Sequence, residues 1–194
     1  MLRALVIVLA LTAAPALAQQ APGPVGSPEG PWRMQLHRVP LDISGTHYLL
    51  QARVCRPVGE APARIVVIAH GSPPSAGARP GMTPLACDSE AARWFLDRGF
   101  VVIAALRRGY GATGGYWVET YGKCPDADYA RAGLESARDI AATVDYAATL
   151  PFARPQGIVL VGQSAGGWGA IAYNSTPHPR VTAIVNMAGG RGSH

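Results

Sequence analysis

The stretch VLVGQSAGGWGA, residues 159–170, sets Ser164 between Gly162 and Gly166 directly after a run of branched aliphatic residues. The spacing G-x-S-x-G suits a serine held on a strained strand-to-helix turn, where side chains two positions away would collide with neighbouring backbone. A serine presented in that way attacks an ester, lactone, thioester or amide carbonyl and holds the acyl group until water releases it. With 23 glycines in 194 residues, chance supplies the spacing in roughly one chain in eight of this composition, so the surrounding elements must decide.

A serine nucleophile needs a base, and the sequence has five histidines. His37 and His47 fall in short segments of mixed alternation, away from any sheet edge where Ser164 would sit. His178, in STPHPRV, reads as a solvated loop residue, and His194 ends the sequence, where a base is poorly held in one geometry. His70 lies at the end of an aliphatic run, ahead of the serine. After Asp145 there is no acidic residue at all. Tyr110 and Trp117 share a glycine-rich loop and either line a candidate pocket or pack that loop. Trp168, one turn beyond Ser164, is expected to pack against the sheet.

These residues need elements to position them. WRMQLHRVPL and THYLLQARVCRP, separated by Asp42-Ile43-Ser44-Gly45, predict an antiparallel hairpin. RIVVIAH (64–70), FVVIAAL (100–106), GIVLVG (157–162) and VTAIVNMA (181–188) are continuous apolar runs, as expected of strands buried on both faces. Between them, a helix opens at Asp88, buries Ala91, Ala92, Phe95 and Leu96, and stops at Gly99. A second helix runs from about Tyr129 to Leu150 with its stripe at Leu134, Ala137, Ala141, Val144 and Ala148, and Pro151 closes it. A short third helix follows Ser164. Strand-helix alternation of this kind predicts an α/β fold: a mostly parallel sheet with an antiparallel N-terminal hairpin and helices on both faces. Six strands are expected, the last of them an exposed apolar edge that invites pairing with more chain.

Composition narrows the class. At 48% hydrophobic and 15% charged residues, the chain is too apolar for disorder and long enough for one domain with a core. Arg3, the apolar run Ala4–Leu11 and Ala16-Leu17-Ala18 form the pattern of a cleavable secretory signal over residues 1–18, too short to span a membrane. Residues 19–31, QQAPGPVGSPEGP, read as a flexible linker, and residues 32–194 as the folded domain. Lys123 is the only lysine, and Arg107-Arg108 the only adjacent basic pair, so no basic stripe points to nucleic acid and the charge reads as solubility. Cys55, Cys87 and Cys124 lack C-x-x-C spacing; in an exported protein two can pair, leaving the third free or partnered outside these residues.

Three stretches in order, VVIAHGSPP, RRGYGATGG and VGQSAGGWG, resemble the alpha/beta-hydrolase superfamily, and within it the dienelactone-hydrolase-like and prolyl-oligopeptidase-like esterases and peptidases. The resemblance covers roughly residues 32 to 190. It implies Ser164 as nucleophile and an oxyanion hole from the N–H groups of Ser72 and Ala165, where preorganised donors contribute about 3 kcal/mol each. His70 would buttress the oxyanion loop, since the family's acid and base follow the nucleophile. No metal or organic cofactor is implied. The partner is a small ester or peptide substrate, with no nucleic acid, and no membrane after signal cleavage. Dienelactone hydrolases use a cysteine, so the serine here points to a carboxylic ester or peptide bond. The family sheet continues past a strand equivalent to VTAIVNMA. The expectation is therefore the N-terminal part of a secreted or periplasmic serine hydrolase, inactive without its acid and base. The alternative is a non-catalytic binding protein that uses the same cleft.

Overall fold

The computed structural model describes residues 20–123, 125–176 and 178–190. The expected signal segment 1–18, Cys124 and His194 lie outside the described residues.

The segment expected as a flexible linker carries the first strand. β1 (Gly23–Glu29) pairs antiparallel with β2 (Met34–Ile43), Gly23 opposite Arg38 and Glu29 opposite Met34. Its side chains are exposed or half-exposed, as its composition implies. A ladder, however, needs only backbone donors and acceptors, and a sheet edge tolerates Pro24 and Pro28. Gln35 Nε2 also donates to the Gly26 carbonyl at 2.6 Å. Gly23–Glu29, ahead of the expected start at Trp32, are thus part of the sheet.

β2 and β3 (Thr46–Cys55) form the predicted hairpin, with Ile43 opposite Thr46 across Ser44-Gly45. φ values of 49° and 81° at those two residues give a turn whose twist matches that of the strands. Four parallel strands complete the sheet: β4 (Arg64–Ala69), β5 (Phe100–Ala105), β6 (Ile158–Gln163) and β7 (Val181–Met187). The order is β1-β2-β3-β5-β4-β6-β7, seven strands rather than six, with β7 at one edge.

Alternation along the buried strands feeds two cores. Ile65, Val67 and Ala69 of β4 face α2 (Tyr129–Ala147) and α3 (Ala165–Tyr173), while Val66 and Ile68 face α1 (Glu90–Leu96). Each fully buried Val, Leu or Ile contributes about 1.5–3 kcal/mol relative to exposure.

The helices depart from expectation in detail. α1 is capped by Ser89, whose side chain accepts from the Ala92 N–H, and not by Asp88. Of its expected face, Ala92 and Leu96 are buried but Ala91 is exposed. In α2 the buried face runs through Ala132, Ser136, Ala137, Ile140, Thr143, Val144 and Ala147, and Leu134 is 47% exposed. Asp139, fully buried on that face and bound to Arg108, turns it away from the purely apolar stripe. Trp168 packs on α2 rather than on the sheet. Its Nε1–H donates to the Tyr129 carbonyl at 3.0 Å, and a Cβ on Gly133 would lie only 2.8 Å from that nitrogen.

Candidate active site

The loops after β4, β5 and β6 meet at the carboxyl edge of the sheet, the usual place for a ligand crevice in an open α/β sheet. Ser164 stands there between β6 and α3 with φ 49° and ψ −117°, a conformation few non-glycine residues adopt. It is exposed, its side chain makes no capping bond to α3, and its N–H donates to the Met187 carbonyl at the end of β7 at 3.0 Å.

The two motif glycines are explained by steric fit. A Cβ on Gly162 would collide with the Gly166 carbonyl, and a Cβ on Gly166 would collide with the carbonyl oxygens of Ala69 and His70. Gly71 is close as well, since a Cβ there would lie 3.3 Å from Ser164 Cβ. The β4 loop and the serine turn are therefore in van der Waals reach of one another. Ala165, the first residue of α3, carries one of the N–H groups that a helix start leaves without an intrahelical partner. Ser72, next to Gly71, is exposed.

His70 is committed elsewhere. Its Nδ1–H donates to the Gly71 carbonyl at 2.8 Å and its Nε2 accepts the Arg107 N–H at 3.1 Å. Those partners fix the neutral tautomer. Burial first, then the Arg107 charge, pushes its pKa down to about 3. It braces the loop and has no free nitrogen with which to take a proton from Ser164.

Tyr110 is fully buried and so forms no open pocket wall. Its hydroxyl lies 3.1 Å from Ser72 Oγ, accepts from Trp117 Nε1 at 3.0 Å and donates to Glu119 Oε2 at 2.9 Å. Trp117 is half-buried, with the Arg79 guanidinium 3.5 Å above its ring. Glu119 in turn pairs with the buried Arg107, whose Nη1 donates to the His70 carbonyl at 2.8 Å. Burial works against the Arg107 charge, yet Glu119 raises its pKa overall. Alongside, Arg108 binds Asp139 at 2.7 Å and Glu135 at 2.9 Å.

Sequence reasoning missed this ionic framework. Arg107 and Arg108, read as surface charge, are each 2% exposed. The available signal was their place, directly after a wholly apolar strand, where a side chain enters the core. His178 also differs from expectation. It is not freely solvated: Nε2 lies 2.8 Å from Asp145 Oδ1 and the ring stacks on Tyr173. It precedes β7, whose start pairs with the start of β6, whereas Ser164 follows the end of β6. The length of that strand, ~20 Å, separates the two. Cys55 and Cys87 form a disulfide from the end of β3 to the loop before α1.

Residues 45–193 match the sequence profile of the X-Pro dipeptidyl-peptidase (S15) family. The chain belongs to that family. No curated protein matches the sequence significantly. Among solved structures, an alpha-amino acid ester hydrolase superposes with a TM-score of 0.57 at 17% identity, over 94% of this chain and 29% of its own. A CocE/NonD family hydrolase from Staphylococcus aureus, SACOL2612, gives 0.52 at 16% identity over 80% and 28%. Dipeptidyl peptidase 4 from Porphyromonas gingivalis gives 0.57 at 17% identity over 80% and 21%. These likenesses establish the alpha/beta-hydrolase fold for this S15 chain, which spans less than a third of each of the three.

Proposed function

We propose that the chain carries the nucleophile and oxyanion hole of a serine hydrolase that cleaves a carboxylic ester or peptide bond. One observation carries this reading: exposed Ser164 is held at positive φ on a strand-to-helix turn whose neighbours admit only glycine. Ser164 Oγ bonds to the carbonyl carbon, the alcohol or amine leaves with a proton, and water then releases the acid from the acyl-enzyme. The N–H groups of Ser72 and Ala165 are assigned to the oxyanion. Membership of the S15 family supports the reaction class.

The acid and base are assigned to chain beyond these 194 residues. His70 has both nitrogens bound and His178 lies far off. That same inventory favours the second reading, a binding protein with the hydrolase architecture, for these residues acting alone. Export through the N-terminal signal is part of the proposal, and the Cys55–Cys87 disulfide supports an oxidising compartment.

The test is labelling with a fluorophosphonate probe. The full-length protein should label, and Ser164→Ala should abolish it; equal labelling after that substitution refutes the assignment. The 194-residue chain by itself should label little, because among the described residues nothing near Ser164 takes its proton.

A further inference from the structure

Arginines that are far apart in sequence are gathered by the topology. β4, β5, β6 and β7 run parallel, and β3, antiparallel to both β2 and β5, ends with Cys55 opposite Val102. The edge of the sheet opposite the serine turn therefore collects the starts of β2, β4, β5, β6 and β7 and the end of β3. An arginine stands at each: Arg33 before β2, Arg56 after β3, Arg98 before β5, Arg64 opening β4, Arg154 before β6 and Arg180 before β7. Arg154 is tied to the start of β4, since its N–H donates to the Ala63 carbonyl at 2.8 Å. In the order β2-β3-β5-β4-β6-β7, strand spacing makes this a row about 24 Å long.

These guanidiniums are held without being neutralised. Arg56 and Arg64 lie over the rings of Phe152 and Phe100, at 4.0 and 4.2 Å, and Arg98 lies over Trp94 at 3.8 Å. Arg154 and Arg180 donate to the carbonyls of Pro62 and Pro155. Ring faces and single carbonyls fix a guanidinium yet leave its charge and most of its five N–H donors unspent. Glu29, Glu60, Asp97 and Asp145 are the carboxylates at this end of the molecule. Among the described residues only Glu60 is bound to one of the six, Arg33, while Asp145 is bound to His178. Arg56 feels the crowding: burial and the Arg33 charge lower its pKa by more than Glu60 restores. Arg107 and Arg108, by contrast, are each matched with carboxylates in the interior. Two apolar side chains project beside the row. Val58, in the loop between Arg56 and Arg64, is 85% exposed, and Trp94, under Arg98, is 52% exposed.

We propose that this arginine edge docks on an anionic phospholipid surface, the guanidiniums binding lipid phosphates while Val58 and Trp94 enter the headgroup layer. The row is too long for one small anion. A soluble polyanion would match the charge but gives the exposed valine and tryptophan nothing to enter, whereas a bilayer surface offers phosphate and apolar boundary together. The crevice that holds Ser164 lies a strand's length away, ~20 Å, at the opposite edge. Docking in this orientation leaves it open to solvent, and is independent of the role of Ser164.

The experiment is co-sedimentation of the full-length protein with vesicles of phosphatidylcholine alone, or of phosphatidylcholine with one-third phosphatidylglycerol. Binding should require the anionic lipid at about 0.1 M salt and be lost at about 1 M, where charges are screened within a few ångströms. An arginine at such a surface contributes about fivefold in affinity, so Arg64→Gln with Arg154→Gln should weaken binding roughly twenty- to thirtyfold. Arg79→Gln with Arg131→Gln, the same charge change away from this edge, should alter it by no more than about twofold. Val58→Ser should weaken it a few-fold. Equal binding to the two vesicle types, binding to neither, or equal losses in the two arginine pairs overturns the proposal. So does a Val58→Ser protein that binds vesicles undiminished while a single-stranded oligonucleotide displaces it, which marks a general polyanion surface. The comparison of the two lipids uses the unsubstituted protein and stands whether or not a variant folds.

Discussion

Acidification from pH 7 to pH 4 should cost the fold stability through two histidines. His37 is 2% exposed between β2 and α2, its Nδ1 lies 2.6 Å from the Tyr146 hydroxyl, and burial lowers its pKa from 6.5 to about 4. His70 is lowered to about 3. Both are neutral in the native state above those values, whereas in the unfolded chain both take up protons below 6.5. Each therefore contributes stability that is present above pH 6.5 and lost as pH falls through the window down to its native pKa. At 1.36 kcal/mol per unit, each histidine loses roughly 3 kcal/mol between pH 6.5 and 4. Asp139 works the other way: burial, opposed by Arg108, raises its pKa from 3.8 to about 6, so the native state gains a proton in nearly the same window. That returns roughly 3 kcal/mol, for a net loss of about 3 kcal/mol. Urea unfolding midpoints at half-unit steps of pH measure this directly. The slope between pH 6 and 4.5 should correspond to about one extra proton bound by the unfolded chain. His37→Phe should flatten that slope. A midpoint independent of pH from 7 to 4.5, or an NMR titration of His37 above pH 6, would refute the reasoning.

Two further outcomes follow from packing and covalent structure. Gly166→Ala drives a methyl into the carbonyls of Ala69 and His70, and should lower unfolding stability by about 1–3 kcal/mol, read as a shift in urea midpoint at constant slope; an unchanged midpoint would mean that the two loops are not packed together. Reducing the Cys55–Cys87 bond, which spans 32 residues of sequence, should cost about 4 kcal/mol by the chain-entropy relation. A calorimetric Tm that is the same with and without reductant contradicts this.

Patterns with a period were readable from the sequence. β4, β5 and β6 are buried on both faces apart from Arg64 and Gln163 at strand ends, so their residues are otherwise apolar or glycine and the runs announce themselves. The serine turn was readable because its steric demand leaves a fixed spacing of glycines. What failed lacked such a pattern. β1 contributes only backbone groups to its pairing with β2, so its Pro and Gly composition says nothing about it. The second helix turns Asp139 inward and Leu134 outward because Arg108 requires a buried carboxylate, and a stripe of apolar residues cannot register a salt bridge. At the site, Ser164, Ser72 and Ala165 lie at the carboxyl edge of the sheet, but the Arg107–Glu119–Tyr110 chain connects residues whose types, taken singly, look like surface charge and loop packing. His178 shows the same limit: its partner Asp145 is 33 positions earlier.

The bond from the Ser164 N–H to the Met187 carbonyl has a consequence for the order in which the protein is made. β6 and α3 can form from local sequence, yet the turn between them is pinned by a strand that emerges later from the ribosome. Ala188, at φ 50°, and Gly189, whose N–H bonds Asn186 Oδ1, then close the chain back against Gly167. A nascent chain that has reached only α3 thus holds every residue of the serine motif without its final geometry. The Ser164 turn is set when β7 docks, so its conformation is a late product of folding, tied to the arrival of that strand rather than to synthesis of the motif.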